Sequence, residues 1–238
     1  MSKKSDYRVL VTRSSEDSFE WSDELDKLGI GSTIFPCIYL ESIENSLLDS
    51  SYNINKKEWI IFTSKNGVES FNKIKNCEID SYTKIAAIGK STAERCRNYF
   101  NRVDYIGKKS DSRSFSEELL SIIKRGSSVL LVVAENASDV IEFRLNSAEI
   151  FCERVNTYRT IPFEKLENKK LLSSFNINTI FFASPSSIIG FINQVEVDVK
   201  KDIYTIGPTT NETAKSLGIE VTGMSREPSL AGLIKVMK

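Results

Sequence analysis

The chain has 238 residues, 40% of them hydrophobic, with 32 Lys plus Arg balancing 32 Asp plus Glu. That length and apolar content predict one large or two ordinary folded domains and exclude a disordered chain. The balanced charge excludes an overall basic footprint for nucleic acid, and the complete absence of histidine excludes His-ligated zinc, Ser-His-Asp triads and imidazole acid–base chemistry.

In chain order, strand and helix signals alternate. Arg8 to Thr12 is a short continuous apolar run, as expected of a strand covered on both faces. Behind it Trp21, Leu25 and Leu28 recur at helical spacing, with Ser14 or Ser15 placed to cap the start and Gly29 to end it. Trp59–Thr63, Ile85–Ile88 and Val103–Ile106 predict further strands, each followed by a helical pattern. Ser128–Val133, Thr179–Ala183, Ile203–Ile206 and Glu220–Thr222 repeat the alternation in the second half. This pattern argues for an α/β fold of parallel sheets flanked by helices.

The two halves can be laid on each other. Val9-Leu10 matches Val129-Leu130, and Phe62-Thr63-Ser64 matches Phe182-Ala183-Ser184, both at an offset of 120 residues. Ile88-Gly89-Lys90-Ser91-Thr92 matches Ile206-Gly207-Pro208-Thr209-Thr210 at 118, Gly107 matches Gly223 at 116, and Leu119-Leu120 matches Leu233-Ile234 at 114. An offset that drifts only by small loop deletions is what an internal duplication leaves behind. No linker rich in Pro, Gly or Ser separates the halves. The pattern breaks instead near Pro36 and Pro162, which fits a chain crossing twice between two domains.

Hydroxyl residues lead four helix starts. Ser91-Thr-Ala-Glu94 and Thr209-Thr-Asn-Glu212 read as capping boxes, while Ser64 and Ser184 stand at equivalent strand-to-helix junctions. Pro185 occupies the favoured first helical position. Ser and Thr are common caps, so any one of these reads as structural on its own. Their recurrence at strand C-terminal ends in both halves points to an anionic ligand gripped between two domains. Ligands of open α/β sheets bind at that edge, and helix N-termini favour carboxylates or phosphates.

Two nucleotide motifs fail. Gly89-Lys90-Ser91 resembles the end of a P-loop, but that motif needs Gly at position 84, which is Lys84. Arg13-Ser14-Ser15 follows the first strand in place of a G-x-G-x-x-G turn. Tyr158, in the extended-looking Asn156-Thr-Tyr-Arg-Thr160 at one crossing, reads alone as a packed strand tyrosine with its hydroxyl at the surface. Cys37, Cys77, Cys96 and Cys152 form no C-x-x-C pair and read as reduced, mostly buried thiols. Met1-Ser-Lys-Lys-Ser-Asp leads into no signal-like apolar stretch, and no apolar run approaches a membrane span. A soluble, cytoplasmic protein is expected.

At this point the residues resemble a family. The series Val9-Leu-Val-Thr-Arg13, Phe62-Thr-Ser-Lys-Asn-Gly-Val68, Ala87-Ile-Gly-Lys-Ser-Thr-Ala93, Tyr158-Arg-Thr160, Phe182-Ala-Ser-Pro-Ser186, Ile206-Gly-Pro-Thr-Thr210 and Pro228-Ser229 is similar, in order and nearly end to end, to uroporphyrinogen-III synthase. The resemblance implies cyclisation of the linear tetrapyrrole hydroxymethylbilane, with loss of water and inversion of the last pyrrole ring. It implies no metal or organic cofactor; from charge and hydropathy no nucleic-acid or membrane partner is expected, and a monomer is expected. It also implies two α/β domains joined by a two-stranded linker, one built from residues 1–37 and 160–238 and the other from 40–157, with substrate in the cleft.

Carried over by position, Ser64, Thr92, Ser184 and Thr210 fall on the family's cleft hydroxyls, flanked by Ser91, Ser186 and Thr209. Arg13 falls on a strand-end arginine able to pair a substrate carboxylate. Tyr158 falls on the family tyrosine, the best candidate to assist departure of the hydroxyl; a phenol of ordinary pKa, about 10, is a weak donor and acts as a contributor. The chain departs from the pattern at Ala134-Glu-Asn-Ala-Ser-Asp139, where the family commonly shows an arginine–glycine turn and a further arginine. Compensation from Lys65 or Lys90 is one reading; a non-catalytic polycarboxylate- or tetrapyrrole-binding module of the same fold is the alternative.

Overall fold

A computed structural model describes residues 6–47, 54–75, 77–109 and 111–237. The chain divides into two compact units, Met1–Leu40 with Thr160–Lys238 (unit 1) and Glu41–Arg159 (unit 2). In chain order the elements are β1 (Arg8–Val11), α1 (Ser15–Lys27), β2 (Gly31–Ile34), β3 (Ile38–Ser42), β4 (Trp59–Phe62), α2 (Lys65–Ile74), β5 (Lys84–Ala87), α3 (Lys90–Phe100) and β6 (Tyr105–Ile106). They continue as α4 (Ser112–Ile122), β7 (Ser128–Ala134), α5 (Val140–Ser147), β8 (Phe151–Pro162), β9 (Lys170–Leu171), β10 (Thr179–Phe182) and α6 (Pro185–Gln194). The last are β11 (Val195–Glu196), β12 (Asp202–Thr205), α7 (Pro208–Ser216), β13 (Gly223–Met224) and α8 (Leu230–Val236).

Unit 1 holds a sheet of order β13-β12-β10-β1-β2, parallel throughout. Unit 2 is built on β3-β8-β7-β4-β5-β6, in which β8, β7, β4, β5 and β6 run parallel. Strand for strand, β6-β5-β4-β7-β8 repeats β13-β12-β10-β1-β2, so the two units share one topology. The chain passes between them along β3 and β8, which are neighbours in the second sheet.

The central strands are wholly apolar because helices cover both faces. In unit 1, Val9 and Val11 pack with Phe181 against Trp21, Leu25 and Leu233, while Leu10, Ile180 and Phe182 pack against Ile188 and Phe191. In unit 2, Ile61, Leu131 and Val133 meet Phe115, Leu119 and Leu145, while Ile60, Phe62, Leu130 and Val132 meet Val68, Phe71 and Cys96. Alternate residues of each strand thus feed two cores, which removes the polar alternation of a one-sided sheet.

β2, β3 and the short β9 and β11 escape the sequence reading, only the Asn156–Thr160 part of β8 is seen, and one strand is displaced. β2 and β3 are too polar and half-covered to stand out, and β8 loses its alternation at a register shift between Val133 and Ala134. The run Glu220–Thr222 is not a strand. The Thr222 N–H donates to the Ile203 carbonyl at 2.8 Å, and the ladder starts only at Gly223, opposite Tyr204. The preceding residues are spent leaving α7, where the Ile219 N–H still reaches the Ala214 carbonyl.

Candidate active site

In each unit the chain reverses the direction in which it adds strands at one point. In unit 1 it lies between β1 and β10; in unit 2 it lies between β7 and β4. Such switch points open a crevice at the C-terminal ends of parallel strands. Arg13 and Ser184 lie at that edge in unit 1, and Ser64 and the Ala134–Asp139 turn lie there in unit 2.

Ser64 caps α2, accepting the Gly67 N–H on its Oγ at 2.9 Å. The same Oγ lies 2.9 Å from the Tyr158 hydroxyl. Nothing local in the sequence brings these two together. The register shift does: Val133 pairs with Asn156 but Ala134 pairs with Tyr158, so Thr157 is the extra residue of a bulge. Bulges re-aim side chains, and this one is tied on both sides. The Thr157 carbonyl accepts from Ser70 Oγ and the Ile43 N–H, both at 2.9 Å, and the Tyr158 carbonyl accepts the Glu135 N–H at 2.9 Å.

Unit 1 repeats the frame without the phenol. Val11 pairs with Ile34 as Leu131 pairs with Arg154, so an offset of 120 residues holds along β2 and β8. Cys37 then stands for Thr157, and Ile38 for Tyr158. Cys37 and Thr157 are both 0% exposed, and Ile38 and Tyr158 are both 7% exposed. The Phe163 N–H donates to the Cys37 carbonyl at 3.0 Å, as Ile43 does to Thr157. Ser184 caps α6, but its partner is Ser187 in a reciprocal capping box, with Pro185 as the first helical residue.

The other two predicted caps are corrected. α3 and α7 begin earlier, with Gly89 and Gly207 as N-caps and no side-chain cap bond, so neither Ser91–Glu94 nor Thr209–Glu212 is a capping box. Gly89 takes φ +78°, a conformation costly for any residue with a Cβ, and this lets the chain turn into the helix two residues before Ser91. Ser91 and Thr209 are exposed in the first turn. Thr92 and Thr210 are buried in matching positions, and among the described residues neither hydroxyl has a hydrogen-bond partner. Ser186 is half-buried in the first turn of α6.

The Arg13 guanidinium donates to buried Asp17 at 2.7 Å and lies 4.5 Å over the Trp21 ring. Its spacing of four residues from Asp17 is a pattern legible in sequence. The Ala134–Asp139 turn carries no basic side chain, yet a guanidinium holds it from beneath. Arg154, on β8, donates to the carbonyls of Ala134 (3.2 Å), Glu135 (3.3 Å) and Ala137 (2.9 Å). Sequence reasoning passed over Arg154, because its partners are backbone atoms that leave no residue signature. Arg159 lies near Glu41 and Glu135, at 3.3 and 3.7 Å. The thiols stand apart from this chemistry: burial raises the pKa of Cys37 and pushes Cys96 and Cys152 up to about 12. Among the described residues there is no cluster of His, Cys, Asp or Glu able to hold a metal, and no helix is long and apolar enough to cross a membrane.

Fold and site together define a two-unit α/β protein whose equivalent sheet edges carry hydroxyls and helix N-termini, with a buried phenol at a position of unit 2 where unit 1 has Ile38. Residues 20–235 match the family model described as uroporphyrinogen-III synthase HemD. The chain belongs to the uroporphyrinogen-III synthase family, enzymes of porphyrin biosynthesis. It is 30% identical over 224 residues to the porphyrin biosynthesis protein HemD of Ruminiclostridium josui, a match covering 89% of this chain and 44% of that protein, so the chain spans less than half of that relative. It is 24% identical over 229 residues to the uroporphyrinogen-III synthase of Chlorobaculum parvum, covering 90% of each. The crystal structure of uroporphyrinogen-III synthetase from Helicobacter pylori 26695 superposes with a TM-score of 0.64 at 17% identity, covering 97% of this chain and 98% of that one, a likeness of fold.

Proposed function

We propose that this chain closes hydroxymethylbilane to uroporphyrinogen III, with inversion of the last pyrrole ring and loss of water, as a monomer without metal or organic cofactor. The observation that carries this reading is the Ser64–Tyr158 hydroxyl pair at the switch-point edge of unit 2, where unit 1 has Ile38. A fold that accepts isoleucine at this position does not need a phenol there for packing.

The pyrrole nitrogen's lone pair can itself expel the hydroxyl, so the protein need supply only assistance and geometry. Tyr158 hydrogen-bonds the departing hydroxyl. Thr92 and Thr210, with Ser91, Thr209, Ser186 and Arg13, take substrate carboxylates along the two edges, while Ser184 sets the start of α6. Holding the chain so that attack falls on the substituted carbon, through a spiro intermediate, selects the inverted isomer; fixing reactants in this way lowers barriers by several kcal/mol.

The test is isomer analysis. Adding the protein to hydroxymethylbilane should move the product from the I to the III isomer on chromatography, and Tyr158→Phe should lower kcat more than it changes KM. Only the I isomer with wild-type protein sinks the proposal. Tight tetrapyrrole binding without isomer III would instead identify a carrier of the same fold.

A further inference from the structure

Resting on the reading of Tyr158 above, we propose that Ser64 is a positioning residue that aims the Tyr158 phenol, and not a ligand for substrate carboxylates.

The Ser64 Oγ accepts the Gly67 N–H at 2.9 Å and makes a second hydrogen bond, at 2.9 Å, with the Tyr158 hydroxyl. A serine hydroxyl has one proton and two lone pairs. Donating that proton to the phenolic oxygen leaves the phenol's own proton to be offered away from Ser64. In the proposed order the Gly67 N–H donates to Ser64 Oγ, the Ser64 O–H donates to the phenolic oxygen, and the Tyr158 O–H donates to the leaving hydroxyl. Charge developing on the phenol is met by a donor that the N-terminus of α2 polarises, an arrangement fixed before the reaction begins.

The proton balance closes. The hydroxymethyl C–O bond breaks with its electron pair going to oxygen. The Tyr158 proton completes a water molecule, and the pyrrole nitrogen's lone pair fills the vacated carbon. Ring closure later releases one proton as the pyrrole regains aromaticity, and that proton returns to the phenolate.

Unit 1 supplies an internal control. At the equivalent junction Ser184 turns to Ser187, and Ile38 occupies the equivalent place at the same 7% exposure. The cap therefore works without a phenol, and the burial is met without a hydroxyl. The pairing in unit 2 is an addition to the fold.

The experiment is a double-mutant cycle on the full chain with hydroxymethylbilane as substrate. Ser64 has φ −158° and ψ 154°, which glycine adopts freely, and glycine is a tolerated N-cap, so Ser64→Gly removes the hydroxyl while keeping the helix start. We expect Ser64→Gly to lower kcat by roughly tenfold with KM changed less than about twofold, and to add nothing in a Tyr158→Phe background. Ser64→Thr, which restores a hydroxyl, should recover most of the lost turnover. If Tyr158→Phe turns over like wild type, the reading of Tyr158 falls and this proposal with it. If Tyr158→Phe is slow but the two effects multiply independently, or if Ser64→Gly raises KM at unchanged kcat, only the role given to Ser64 is overturned.

Discussion

At one point of a shared topology, unit 2 carries Thr157-Tyr158 beside Ser70, and unit 1 carries Cys37-Ile38 beside Gly190. In unit 2 the Ser70 hydroxyl fills the gap between helix and crossing strand by bonding the Thr157 carbonyl at 2.9 Å. In unit 1 there is no gap: a Cβ on Gly190 would lie 1.7 Å from the Cys37 carbonyl oxygen. The same frame is closed by a hydrogen bond in one copy and by direct backbone contact in the other. The difference teaches that close packing is shared by both units, while at this position the phenol belongs to unit 2 and an isoleucine to unit 1.

The sharpest way to break this comparison is to exchange its packing. Gly190→Ala forces α6 off the chain at Cys37 and should cost about 3 kcal/mol or more, since backbone cannot yield as a side-chain tip can. Ser70→Ala should cost only about 1 kcal/mol for a lost hydrogen bond. Urea unfolding of the two variants measures both; equal losses would mean that the two junctions are not packed differently.

Alkaline pH probes the same contrast through the thiols. Cys96 and Cys152 in unit 2 are pushed up to about 12 by burial, and Cys37 in unit 1 is raised by the same cause. An unfolded thiol ionises near its ordinary value, about 8.5, while the folded one keeps its proton. Their stabilisation is therefore whole below about pH 8.5 and is lost as pH rises toward the folded values, by up to about 1.4 kcal/mol per thiol per pH unit. Between pH 9 and 11, Cys96→Ala with Cys152→Ala should flatten the fall in stability more than Cys37→Ala does. Equal slopes in the two variants would count against this.

The smallest effects concern binding, where the two units should behave alike. Thr92→Val and Thr210→Val each remove one hydroxyl that has no partner among the described residues. Each should raise KM by roughly three- to tenfold, the scale of one hydrogen bond of about 1 kcal/mol, with melting temperature preserved. A change in one variant only would show that the substrate engages the two edges unequally.

What could be read from sequence was what composition and local pattern encode. Apolar runs bounded by turns marked the buried strands because helices cover both faces of each sheet, leaving Ile60-Ile61-Phe62 and Leu130-Leu131-Val132 without a polar residue. The Ser64 and Ser184 caps were legible because a cap bonds within three residues of itself. The Ser91 and Thr209 boxes misled because their spacing fits a cap, while the glycines before them had already turned the chain into the helix.

The pair at the centre of the site lay beyond local reading. Ser64 and Tyr158 are 94 residues apart, and what joins them is the order β8-β7-β4 and one register shift. Arg154 gripping carbonyls of the Ala134–Asp139 turn is equally invisible, since any sequence in that turn offers the same backbone acceptors. The sequence by itself determined a twice-repeated α/β pattern, its apolar cores and the hydroxyls at its helix starts. The tertiary structure alone decided which of those hydroxyls faces a phenol and which turn a guanidinium holds, because those contacts depend on distances between strands remote in the chain.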